Sequence, residues 1–120
     1  MVAVALLLAA GMARAAGHQD ITAVQARSLL AAKKNMVLLD VRTPDEFRQA
    51  RLAGALLIPI NEVERRIGEI PKGRPILVYC AVGSRSALVA RFLAARGYGE
   101  VYNMTDGIVG WYRNGYAIER

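Results

Sequence analysis

The sequence predicts an α/β domain built on a mainly parallel central sheet. Two observations predict it. Short apolar runs alternate with segments that carry helix-start signals along most of the chain. The runs also lack polar alternation, which suits strands buried on both faces. At 120 residues the chain holds one domain, large enough to bury a core without disulfides or metals.

The elements follow in order. Val2 to Ala10 is an unbroken apolar run, and Ala13-Arg14-Ala15 behind it fits an A-x-A cleavage signal before Ala16. The run is shorter than the ~20 residues a spanning helix needs. Residues 1–15 therefore read as a signal peptide, although no Lys or Arg precedes the apolar run. A retained anchor or a buried first element are the other readings of it. Cleavage leaves a mature domain over residues 16–120 in the periplasm or otherwise exported, with membrane contact only if the segment stays uncut. Thr22 is placed to cap a helix reaching Leu30 to Lys33, with Val24, Leu29 and Leu30 as its apolar residues. Met36 to Leu39 is a buried strand ending at Asp40. Thr43-Pro44-Asp45-Glu46 opens a short helix, with Thr43 as cap, Pro44 at the first position and Glu46 three on from the cap.

Gly54 breaks the chain, and Ala55 to Ile58 is a second buried strand stopped by Pro59. Asn61 with Glu64 is a capping signature for a helix through Ile67. Pro71 to Pro75 is a turn, and Ile76 to Tyr79 is the clearest strand. A strong helix runs from Ser84 to Arg96, with Leu88, Val89, Phe92 and Leu93 on its inner stripe and Gly97 as its stop. Val101-Tyr102 is a brief strand. Asp106-Gly107 opens a last short helix containing Trp111 and ending at Gly115.

Composition excludes several functions. The net charge is +6, but Arg and Lys are scattered, and Lys33-Lys34 and Arg65-Arg66 read as solvated helix faces. Nucleic-acid binding would need a basic cluster with interleaved aromatics. A diffuse positive field that draws in small anions fits better. Cys80 and His18 are the one cysteine and the one histidine. They allow no internal disulfide and no structural zinc site, which takes about four ligands. His18 lies beside the cleavage point, which argues against a Cys–His thiol protease. No metal or cofactor is called for, and a monomer is expected.

Tyr79-Cys80-Ala81-Val82-Gly83-Ser84-Arg85-Ser86 carries the chemistry. A buried strand delivers a cysteine to a tight loop, and a helix starts at once. Ligands of parallel sheets bind beyond the carboxyl ends of the strands. Loop amides and the free amides of a first helical turn can converge there, backed by roughly half a positive charge from the helix. The anion they would hold is the Cys80 thiolate or the outer sulfur of its persulfide. An ordinary thiol, with a pKa of about 8.5, is mostly protonated at neutral pH. Gly83 permits backbone angles that a side chain forbids. Ser84 and Ser86 can cap the helix or donate hydroxyl hydrogen bonds, and Arg85 can position an anion. The bland alternatives are an inert buried Cys80 and an Arg85 that bridges to a surface carboxylate.

This loop resembles the active-site loop of the rhodanese family, in which Cys is followed by four residues and often Arg, with Gly at the third following position. Cys80, Gly83, Arg85 and Ser86 match. So do Asp40-Val41-Arg42, Glu46-Phe47, Gly54-Ala55 and Ile58-Pro59, and the late pair Gly107 and Trp111. The chain departs from the family pattern at Ala50-Arg51-Leu52, at Leu57 and at Asp106. The resemblance spans about residues 20 to 118 and implies the rhodanese-like three-layer fold, with helices on both faces of the sheet. It implies a thiosulfate sulfurtransferase: Cys80 as nucleophile and persulfide carrier, Arg85 positioning the donor, and Ala81, Val82, Gly83, Ser84, Arg85 and Ser86 lining the site. The implied partners are a small anionic sulfur donor and a thiophilic acceptor such as cyanide or a thiol. A non-catalytic persulfide carrier is the alternative. A cysteine phosphatase or arsenate reductase is disfavoured, because phosphatases of this loop type place five residues between Cys and Arg. Asp40 and Arg42 read mainly as a structural pair, with added positive potential near the pocket as the second reading.

Overall fold

The computed structural model describes residues 17–120. The signal peptide expected over residues 1–15 lies outside the described residues. The chain runs β1 (Gln19–Ile21), α1 (Ala23–Ala32), β2 (Val37–Asp40), α2 (Pro44–Gln49), β3 (Leu56–Leu57), two 3₁₀ turns (Ile60–Glu62 and Ile67–Glu69), β4 (Ile76–Tyr79), α3 (Ser84–Ala95), β5 (Val101–Met104) and α4 (Gly107–Arg113). One five-stranded sheet forms, in the order β1-β5-β4-β2-β3. Every pairing in it is parallel.

The sheet is covered on both faces, which gives the three-layer architecture. Alternate residues of the central strands feed two cores, as the two-residue period of a strand requires. Val37, Leu39, Ile76, Val78 and Val101 meet Val89, Ala90 and Leu93 of α3, together with Val63 and Ile70 from the 3₁₀ segment. Leu38, Leu77, Tyr79, Tyr102 and Met104 meet Ala23 and Ala26 of α1 and Ile108 and Trp111 of α4. Cys80 continues the alternation of Ile76 and Val78 and therefore points to the α3 side.

Local signals place the helix starts. Thr22 caps α1 and Thr43 caps α2, each in a capping box with the residue three places on, Gln25 and Glu46. Pro44 stands in the first turn of α2. At the carboxyl end of β2, Arg42 binds both carboxylate oxygens of Asp40, with Nη2 2.7 Å from Oδ2 and Nε 3.0 Å from Oδ1. Arg42 Nη2 also donates to the Ala50 carbonyl at 2.7 Å. Both side chains are buried. The pair ties β2 to the end of α2, the structural role expected of it.

Five features differ from the sequence-based expectation. β1 is an unforeseen edge strand, bonded to β5. Its three residues are largely exposed and too few to show a pattern. The helix expected from Asn61 to Ile67 is instead two 3₁₀ turns with no side-chain cap. Burial of Val63 and Ile70 outweighs local capping there, and Gly68 further weakens a continuous helix. β3 is reduced to two half-buried edge residues, Leu56 and Leu57, while Ile58 just beyond them is fully buried. β5 extends to Met104, past the brief strand expected at Val101-Tyr102. Leu88 is 57% exposed rather than on the inner stripe of α3, and Val24 of α1 is likewise exposed. The inward residues of α3 are Ser86, Val89, Ala90 and Leu93. Ser86 sets this phase: Leu88, two residues on, sits about 200° around the helix from it.

Two departures from the family pattern acquire structural roles. Asp106 Oδ1 accepts from the Ala23 amide at 2.8 Å, a cap for α1 supplied from the far end of the chain. Arg51 forms an antiparallel bridge with Glu119, reinforced by an ion pair at 3.6 Å. Both contacts bind terminal segments to the body.

Removing one partner of the buried pair leaves a charge without compensation. Asp40→Ala is expected to destabilise the domain by about 3 kcal/mol. Urea unfolding followed by circular dichroism checks this; a loss within 0.5 kcal/mol, about what surface substitutions cost, would refute a structural role.

Candidate active site

The carboxyl end of β4 brings Cys80 under the first turn of α3. Gly83, the N-cap residue of α3, has φ 97°, a conformation that side chains disfavour. A Cβ at Gly83 would also stand 2.1 Å from the Thr105 carbonyl oxygen. Only glycine fits. The turn this permits aims the Gly83 amide at Cys80 Sγ, 3.1 Å away. The Ser86 amide, one of the free amides of the first helical turn, donates to the same sulfur at 3.4 Å.

Ser86 also contributes its hydroxyl. Oγ lies 3.4 Å from Cys80 Sγ and 3.2 Å from the Gly83 carbonyl oxygen. The hydroxyl carries one proton. It can serve Gly83 while a protonated thiol donates to Oγ, and turn to the sulfur once that sulfur is an anion. Burial pushes the Cys80 thiol up, but the Ser86 hydroxyl and the Ser86 and Gly83 amides outweigh it, with a smaller contribution from Val82. The net effect lowers the pKa and favours the thiolate.

The loop is braced from outside. The amides of Ile108 and Val109, at the start of α4, donate to the carbonyls of Cys80 and Ala81 at 2.9 and 3.1 Å. With those carbonyls held outward, the loop amides face the sulfur. Gly107 makes this approach possible: a Cβ there would stand 2.2 Å from the Ala81 carbonyl oxygen.

The residues expected at the site divide. Cys80, Gly83 and Ser86 come together as one arrangement. Ala81 and Val82 form the turn, with Val82 exposed. Ser84 is exposed and caps nothing, because Gly83 takes the N-cap position. Arg85 does not touch the sulfur through a hydrogen bond. Its fork is engaged by Glu46, Nη1 to Oε1 at 2.8 Å and Nη2 to Oε2 at 3.0 Å. Glu46, Thr105, Ile108 and Val109 also reach the loop, with no local sequence signal of a site role. Glu46-Phe47 and the late Gly107 match the family pattern, but nothing local says what they touch.

Among the described residues no group of three His, Cys, Asp or Glu side chains could hold a metal ion. No helix among them is long and apolar enough to cross a membrane. His18 pairs with Asp20 at 3.0 Å beside β1. Cys80 itself is fully enclosed. The arrangement thus offers a buried seat for a single negatively charged sulfur.

The chain resembles known proteins in sequence and in fold. The profile of the rhodanese-like domain matches residues 22–114. A protein named sulfurtransferase from Allochromatium vinosum is 39% identical over 89 residues, covering 74% of this chain and 83% of its own. The thiosulfate sulfurtransferase GlpE of Coxiella burnetii is 33% identical over 82 residues, covering 68% of this chain and 77% of its own. The crystal structure of a rhodanese-related protein from Thermoplasma volcanium superposes with a TM-score of 0.77 at 29% identity, covering 85% of this chain and 98% of that one.

The donors around the sulfur have a measurable consequence. The rate of Cys80 alkylation by iodoacetamide, followed against pH, should inflect below the ordinary thiol value of about 8.5. Ser86→Ala should move the inflection upward, since it removes the hydroxyl that contributes most to stabilising the anion. An unmoved inflection would show that the hydroxyl does not stabilise the thiolate.

Proposed function

The chain belongs to the rhodanese-like domain family, and from that premise we propose that it is a sulfurtransferase in which Cys80 carries sulfane sulfur as a persulfide. One observation carries the reading: two amides and a hydroxyl converge on the only thiol of the chain. An inert core cysteine has no need of such donors, and the lowered pKa of this one supplies the nucleophile.

The reaction is a double displacement through a covalent intermediate. The Cys80 thiolate attacks the outer sulfur of thiosulfate. A new S–S bond forms, the S–S bond of the donor breaks, and sulfite leaves with the electron pair. The terminal sulfur of the persulfide keeps one negative charge, which free amides of the loop and of the first α3 turn would hold. Cyanide or a thiolate then attacks that sulfur, and the Cys80 thiolate is restored. The Gly83 and Ser86 amides already face Cys80 Sγ before transfer, so the thiolate is stabilised by groups already oriented. Arg85 stands at the rim as the cation nearest in sequence to the thiol and would meet an anionic donor. Four residues between Cys80 and Arg85 make a tighter loop than the phosphatase spacing requires.

The test is the intact mass of the protein before and after thiosulfate. One sulfur atom should be gained and then removed by cyanide, and Cys80→Ser should gain none while retaining its fold. Thiocyanate production over many cycles is expected of a catalyst. A single sulfur taken up without turnover would instead identify a persulfide carrier, and no uptake at all would sink both readings.

Export is a second proposal, supported by the apolar run Val2 to Ala10 and the Ala13-Arg14-Ala15 site. Protein recovered from the native cell should begin at Ala16 and fractionate outside the cytoplasm. A cytoplasmic protein that retains Met1 would refute it.

A further inference from the structure

Arg85 and Glu46 are 39 positions apart in sequence, yet they form a two-pronged ion pair at the rim of the thiol loop. Glu46 is not free to wander. Its Oε1 also accepts from the Thr43 amide and hydroxyl, both at 3.1 Å, within the capping box of α2. The carboxylate is thus mounted on a helix start and presented to the guanidinium. A planar carboxylate fits the edge of that fork through two parallel N–H···O bonds. Two oxygens of a sulfonate-type group would seek the same edge. Arg85 has five N–H donors, and Glu46 occupies two of the best directed. The pair also cancels the one positive side chain that the loop from Tyr79 to Ser86 contributes.

We propose that Glu46 sets the charge selectivity of the thiol site by competing with anionic sulfur donors for the Arg85 guanidinium. The inference rests on the sulfur-transfer reading above and deepens it. A donor bearing two negative charges must displace Glu46 or bind beside it against its repulsion. A donor with a single negative charge, such as an organic persulfide anion, meets weaker repulsion from Glu46. The site as built therefore disfavours doubly charged donors such as thiosulfate relative to singly charged ones such as organic persulfide anions. The hydrogen bonds from Arg85 hold the Glu46 carboxyl down at about 2, so the competition is present at every working pH.

Steady-state transfer from thiosulfate to cyanide by the full chain tests this, with Glu46→Gln, Glu46→Ala and Thr43→Ala beside the wild type. Glu46→Gln is expected to lower the KM for thiosulfate about 3- to 10-fold and to steepen its rise with ionic strength. Gln retains an acceptor for the Thr43 amide, which favours folding; Glu46→Ala removes the same charge if that variant does not fold. Thr43→Ala removes the hydroxyl but keeps the Thr43 amide donor and the Glu46 charge, so its Tm should fall while its KM moves less than in Glu46→Gln. A KM unchanged or raised on removal of the Glu46 charge overturns the inference, as does an equal fall in Thr43→Ala. The two levels separate cleanly. If Cys80 of the wild type takes up sulfur but KM does not respond, only the role of Glu46 is lost. If it takes up none, the sulfur-transfer reading falls and this inference with it.

Discussion

The close approach between Gly83 and the Thr105 carbonyl is the constraint on which the site depends. It allows the chain to reverse within three residues of Cys80 and to enter α3 with the first-turn amides already facing the sulfur. A side chain at Gly83 would push the loop off β5, and the amides would turn with it. The bonds from Ile108 and Val109 complete the bracing from the other side. The sulfur seat is therefore made by the contiguous run of β4, its loop and the start of α3, braced by the junction of β5 with α4 further along the chain.

Charge is organised around that seat in two tiers. Asp40 and Arg42 are buried and satisfied by each other and by backbone, so they hold β2 and α2 in place. Glu46 and Arg85 stand further out, each about one-third exposed. Much of the remaining basic character is neutralised locally, with Lys33 on Glu100 and Arg66 on Glu62 and Glu69. Such exposed pairs contribute little stability individually.

The sequence-based reading fared best where several local signals coincide. Ile76 to Tyr79 is apolar throughout, flanked by Pro75 and by a helix start, and it forms β4 over those same residues. Thr43, Pro44 and Glu46 agree on the start of α2. The reading failed where one signal stood alone. Asn61 with Glu64 resembles a cap, but the apolar residues behind it gain more by turning toward the sheet in 3₁₀ steps. Three residues of β1 carry no pattern, since a partner strand defines them. Leu88 faces solvent because Ser86, a polar residue, takes an inward position to reach the sulfur.

What the sequence by itself determined is the parallel α/β order, the single thiol and the glycine that lets its loop turn. These follow from residue type and spacing, which act on the nearest few neighbours. Only the tertiary structure decided which groups answer that thiol and its neighbouring arginine. The Ser86 amide and hydroxyl, the Thr105 carbonyl, the α4 amides and Glu46 reach their places through sheet register and helix phase. Both are settled by burial on the two faces of the sheet, a property of the whole fold that no short segment contains.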